Sequence, residues 1–285
     1  MTRWEALGRA IVPDDDPAPR VMGIVNATPD SFSDGGRHPG EGEAVAHGLR
    51  LIGEGAHLLD VGGESSRPGS GPIGLDEELR RVVPVIEGLA GADVPISVDT
   101  TKAGVARRAI AAGAAIVNDI TAMTGDPEMA RVVADSGAGV VLMHMRGTPR
   151  TMQDAPHYED VVAEVYEYLA RRVDWAGSVG IPPDRIAVDP GIGFGKTMAH
   201  NLQLLRNLGR FATLGCTLLV GTSRKGFLGT ITGRTVAERA TASAVSALMA
   251  AVDGARVVRV HDVGTTADAL KVWGAVRGWD GRVTP

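Results

Sequence analysis

Eight short runs rich in valine, isoleucine and leucine recur along the chain, and each leaves its apolar stretch through a polar side chain. They read VMGIVN (21–26), HLLDVG (57–62), PISVDT (95–100), AIVNDI (115–120), GVVLMH (139–144), IAVDPG (186–191), LLVGTS (218–223) and VVRVHD (257–262). Runs this short, apolar on both faces and bounded by Gly or Pro, suit buried parallel strands. Segments of helical period lie between them. EGEAVAHGLRLIGEGA, for instance, sets Val45, Leu49 and Ile52 at helical spacing before a glycine stop. Eight strand–helix alternations within 285 residues predict an α/β fold, a (β/α)8 TIM barrel. A doubly wound open sheet is the second choice, weaker because no GxGxxG follows the first strand.

Composition removes several function classes. A net charge of -5 gives no basic footprint for nucleic acid. No apolar run approaches the length of a membrane span, so no membrane partner is expected. The single Cys216 excludes an internal disulfide framework, reads as a small buried hydrophobe, and fits a reducing, cytoplasmic location. Residues 1–20 read as an N-terminal lead-in with a mobile PDDDPAP portion, and residues 21–285 as one barrel domain.

In a barrel enzyme the site is built at the C-terminal mouth from the strand ends. Those ends here carry Asn26, Glu64 after Asp60, Asp99, Asn118 with Asp119, His144, Asp189, Lys225 after Ser223, and His261 after Arg259. Asp99, Asn118 and Asp189 offer two carboxylates and an amide, a set suited to a flat heterocycle edged with N–H, NH2 and C=O, above all an aminopyrimidinone. Arg67, Arg259 and His261 supply donors for phosphate oxygens. Asn26 is a neutral oxygen ligand acceptable to Mg2+, which prefers phosphate oxygens and water. A heterocycle subsite beside a phosphate subsite implies group transfer with a phosphate leaving group. Blander readings stand beside these. Asp60, Asp119 and Asp262 can simply brace loops, and Arg224 can pair with an acid. His144 can be a hydrogen-bonded barrel residue, and His38, His47, His57, His157 and His200 read as surface or helix residues. GIGFGKT (191–197) imitates a phosphate loop, but Pro190 stands where the Walker pattern needs its first glycine. Lys225 also admits a Schiff-base reading.

Taken in order, MGIVNATPDSFSDGG, LLDVGGESSRPGS, SVDTTK, VNDITA, LMHMRGTP, DPGIGFGKT, GTSRKGFLG and VRVHDV resemble the dihydropteroate synthase family from about residue 21 to about residue 271. The resemblance implies a pterin-binding barrel, usually a homodimer. It also implies displacement of diphosphate from a pterin methylene by p-aminobenzoate, with Mg2+. It would place the pterin among Asp99, Asn118, Met143, Asp189, Phe194, Gly221 and Lys225. Diphosphate and Mg2+ would meet Asn26, Ser66, Arg259 and His261. The aminobenzoate would lie among Phe32, Arg67, Pro68, Phe194, Ser223 and Lys225. Loops 27–36 and 65–71 would close over it as lids, and the small-residue segment 239–255 could pack at a subunit interface. A methyltetrahydrofolate-type methyltransferase and a non-catalytic pterin-binding paralogue are the rival readings.

Overall fold

A computed structural model describes residues 2–27, 39–67 and 69–277. Eight parallel strands close into a barrel: β3 (Arg20–Asn26), β4 (Leu58–Gly62), β5 (Ile96–Asp99), β6 (Ile116–Asp119), β7 (Gly139–Met143), β8 (Ile186–Asp189), β9 (Thr217–Val220) and β10 (Val257–Val260). Each strand pairs with its neighbours in sequence, and β10 closes the ring on β3 with Val258 opposite Val21. The eight strands fall inside the eight apolar runs, extended only by Arg20 in β3 and Thr217 in β9.

Helices follow the strands on the outside: α1 (Pro39–Gly53), α2 (Leu75–Leu89), α3 (Ala103–Ala111), α4 (Met129–Ser136), α5 (Val161–Ser178), α6 (Met198–Arg206) with the short α7 (Leu208–Phe211), α8 (Gly226–Thr232) with α9 (Ala240–Val252), and α10 (Val263–Val276). Outward strand residues such as Val25, Val61, Val98, Val117 and Leu142 form one core with the inner helix faces. Inward residues such as Met22, Leu58, Ile116, Val141, Ala187, Leu219 and Val257 form a second, apolar core low in the barrel. This floor seals the lumen, so only the upper end can hold polar ligands.

Residues 1–20 are more than the expected lead-in. Strands β1 (Trp4–Ala6) and β2 (Arg9–Val12) pair antiparallel around Leu7 and Gly8, both at positive φ. Such a two-residue turn matches the right-handed twist of its strands. Trp4 is fully buried in the barrel floor, and its Nε1–H donates to the Arg185 carbonyl at 3.2 Å. The PDDDPAP stretch is tied as well: Arg20 pairs with Asp16 at 2.6 Å, and Arg256 donates to the carbonyls of Pro13 (3.1 Å) and Asp16 (2.5 Å). The hairpin is a plug for the bottom of the barrel.

Candidate active site

Strand alternation decides which side chains enter the lumen. In β4, Leu58 lies in the floor, which places Asp60 and Gly62 on the same face above it. In β5, Ile96 and Val98 join the outer core, leaving Ser97 and Asp99 facing in. The same count puts Asn118 above Ile116, Asp189 above Ala187, and Arg259 and then His261 above Val257.

A charged layer therefore sits on the apolar floor. Arg259 Nε donates to Asp60 Oδ2 at 2.6 Å, and its Nη2 donates to Asp99 Oδ2 at 2.8 Å. Asn118 Nδ2 donates to the same Asp60 oxygen at 3.0 Å. Two carboxylates share one guanidinium, so with both ionised a negative charge is in excess there. Burial pushes the Asp99 carboxyl up to about 7, with Arg259 opposing the shift. Across the lumen, burial also raises Asp189, opposed by Lys225 and by the Gly191 N–H, which donates to Oδ1 at 2.7 Å.

Lys225 closes this layer from above. Its ammonium donates to the Ile192 carbonyl and lies 4.4 Å from the centre of the Phe194 ring. Burial lowers Lys225 to about 8, with Asp189 opposing. The chain reaches Lys225 through Arg224, a non-glycine residue at φ 56° whose guanidinium grips Asp262 at 2.9 and 2.5 Å. Strained backbone of this kind persists only where neighbours fix it. Opposite, Gly191 is held at φ 68°, and a Cβ there would lie 1.9 Å from the His144 carbonyl oxygen, so no other residue fits.

At the rim, His261 receives burial beside Arg259, which lowers it to about 3 and leaves it neutral. Its Nδ1 lies 3.0 Å from Ser223 Oγ, and its backbone N–H donates to that oxygen at 3.1 Å. Asn26 is half-buried at the end of β3. Arg67 is exposed on a loop whose base is clasped: Glu64 accepts from the Ile73 N–H at 3.1 Å and from Lys102 at 2.6 Å, and Lys102 also donates to buried Glu78 at 2.5 Å.

The family described as pterin binding enzyme matches residues 22–261. The chain is 46% identical to the dihydropteroate synthase of Escherichia coli (strain K12) over 255 residues, 89% of this chain and 90% of that one. The solved structure of Xanthomonas albilineans dihydropteroate synthase with 4-aminobenzoic acid superposes at a TM-score of 0.89 and 51% identity, covering 97% of this chain and 99% of that one. The chain belongs to the dihydropteroate synthase family. A Yersinia pestis dihydropteroate synthase solved as a sulfonamide drug complex is 41% identical, with a TM-score of 0.89 and coverage of 97% and 99%.

Of the residues which the family resemblance singles out, Asp99, Asn118, Asp189, Lys225 and Arg259 come together in one layer, with Phe194, Ser223 and His261 beside them. Met143 and Gly221 are buried at their strand ends, and Ser66 is half-buried beside Arg67. Phe32, Pro68, His38 and most of the loop 27–36 lie outside the described residues. Asp119 and Asp262 brace loops as read: Asp119 accepts from Thr121 and Met123, and Asp262 holds Arg224. Asp60 does not fit that bland reading; it is fully buried in the lumen and anchors both Arg259 and Asn118. Period-two counting upward from Leu58 would have found it. His57 is likewise neither a surface nor a helix residue, since its Nδ1 accepts from the Val21 N–H at 3.1 Å. His144 faces away from the lumen, with its Nδ1 3.0 Å from Lys196 Nζ. No helix among the described residues is long and apolar enough to cross a membrane.

Proposed function

We propose that the protein is a dihydropteroate synthase, a transferase that joins p-aminobenzoate to (7,8-dihydropterin-6-yl)methyl diphosphate, giving 7,8-dihydropteroate and pyrophosphate for folate biosynthesis. The observation that carries this reading is the buried Asp60–Arg259–Asp99 cluster with Asn118, faced by Asp189 and Lys225. Its chemistry matches a pterin, whose ring N–H and NH2 groups need acceptors and whose carbonyl needs a donor. Relatives named as the same enzyme, one solved with 7,8-dihydropteroate at 49% identity, support it.

In this reading Asp99 and Asp189 accept from the pterin's N–H groups, and Asn118 both donates and accepts. Lys225 donates to the ring and walls the aminobenzoate pocket with Phe194. Departure of diphosphate leaves positive charge delocalised into the pterin, which the carboxylates stabilise in a preorganised, water-poor site. Arg259, Arg67, Ser66 and His261 face the departing oxygens. With the Ser223 hydroxyl donating to Nδ1, neutral His261 keeps an Nε2–H to offer an anion. Ser223 then has only its backbone amide left for the aminobenzoate carboxylate. The aromatic amine is a nucleophile as it stands and requires no serine or cysteine intermediate.

Among the described residues no three His, Cys, Asp or Glu side chains converge as a metal nest. The Asn26 amide oxygen is the protein ligand assigned to Mg2+, which prefers diphosphate oxygens and water for its other positions. Bound there, Mg2+ would supply positive charge to the diphosphate oxygens. The cytoplasmic location rests on the single cysteine, which is free and buried. A homodimer through α9 and α10 is supported by the exposed Val245, Met249, Val252, Val272 and Val276 on those two helices.

The reaction is tested by pyrophosphate release, which should require both substrates together. Sulfamethoxazole should inhibit competitively with p-aminobenzoate, because it presents the same amine and ring to the same walls. Release from the pterin diphosphate alone, or turnover indifferent to the drug at low aminobenzoate, would count against this assignment.

A further inference from the structure

Lys196 has no part in the reaction described above, yet it is almost wholly buried. His144 follows inward-facing Met143, so its ring points out of the barrel, where it packs edge-on against Tyr168 of α5 at 4.9 Å. Lys196 joins it in this layer behind the lumen. Its Nζ contacts His144 Nδ1 at 3.0 Å, the His144 carbonyl at 3.3 Å and the Phe194 carbonyl at 3.0 Å. Its N–H groups therefore face only neutral partners.

Burial holds Lys196 well below the ordinary lysine range, and a buried lysine held only by neutral acceptors is a costly way to stabilise a turn, since desolvation opposes its charge. The turn has other fastenings. Tyr158 donates to the Gly195 carbonyl at 2.9 Å, Gln153 donates to the Gly193 carbonyl at 2.8 Å, and Asn201 accepts from the Gly193 N–H at 2.7 Å. These fix the glycines on either side of Phe194. The Phe194 peptide oxygen is held by Lys196. A peptide free to rotate there would swing the ring that lies beneath the Lys225 ammonium.

We propose that Lys196 is a positioning residue for the aminobenzoate subsite: by holding the Phe194 carbonyl behind the barrel, it sets the angle at which the Phe194 ring meets the substrate. The proposal rests on Phe194 facing p-aminobenzoate, as in the function given above.

The test is steady-state kinetics and thermal melting of Lys196→Met and Lys196→Gln in the full-length enzyme. Lys196→Met should raise KM for p-aminobenzoate about tenfold, with kcat and KM for the pterin diphosphate within about twofold. Its Tm should shift by only a few degrees, because relief of the lysine's desolvation offsets the loss of a donor to the His144 and Phe194 acceptors. Lys196→Gln keeps amide donors and should recover much of the aminobenzoate affinity. A folded Lys196→Met with wild-type KM for p-aminobenzoate overturns the proposal. So does a joint fall of Tm, kcat and both substrate affinities, or failure of both variants to fold, each being the mark of a purely structural lysine. Wild-type enzyme run alongside separates the two ideas. If it fails to release pyrophosphate, the reaction itself is wrong; if it releases pyrophosphate normally, only the role of Lys196 is at stake.

Discussion

At Asp99 the carboxylate proposed to read the pterin is also the ion-pair partner of Arg259. Its carboxyl titrates near 7 rather than near 4, so the folded protein holds a proton there that the unfolded chain has released. The stability linked to Asp99 is therefore full below its unfolded value and is lost as pH rises through about 7. Pterin binding should run the other way, because N–H donors need the ionised acceptor. Affinity measured by calorimetry should weaken by up to about tenfold per pH unit below neutrality, and Asp99→Asn should flatten that limb. Lys225 sets the alkaline side: it loses its proton through about 8, so affinity should decline again above that pH. Asp99→Asn and Asp189→Asn each remove a charge-assisted hydrogen bond of about 1.5–3 kcal/mol, which predicts at least about tenfold weaker pterin binding. Unchanged affinity in both variants would remove the pterin assignment.

Among the elements, the N-terminal hairpin shows how far stability and function are separated in this barrel. Trp4 packs with Met22, Leu58, Ile116 and Leu219 at the floor, whereas the charged layer lies toward the other end of the strands. Trp4→Ala should cost about 3–5 kcal/mol, the range for removing a large buried aromatic side chain. Urea denaturation would measure that loss, and the pterin Kd should stay within about twofold of wild type in the same preparation. A stable Trp4→Ala protein would mean that the plug adds little to the core. By contrast, the turn after β8 runs through Gly191, Gly193 and Gly195 at positive φ, and the turn after β9 through Arg224 at φ 56°; they carry Phe194 and Lys225.

For the whole molecule, the exposed valines and Met249 on α9 and α10 are the feature a lone barrel does not account for. Light scattering should return the mass of a dimer, and Met249→Glu should shift it toward the monomer by burying an unpaired charge in the interface. A monomeric wild-type mass at micromolar concentration would rule this face out. Because the mouth and this helical face are separate, the monomeric variant should still bind pterin.

The strand pattern, the barrel and most of the polar rim were legible in the chain itself, because strand periodicity and Gly/Pro punctuation are written within a few neighbouring residues. The family strings then suggested subsites for the rim. What escaped depended on contacts between distant residues. Strand alternation could put Asp60 on the lumen face, but only folding set it against Arg259, 199 positions away. The hairpin's strands have three and four residues and turn through Leu7 and Gly8 without the usual Asn or Asp, so no local signal marks them. Lys196 looked like part of a false phosphate loop, and only closure of the barrel brought it to His144. Local sequence determines where a strand runs and which residue ends it; burial, shared charges and the partner of each polar group are set when the eight strands meet.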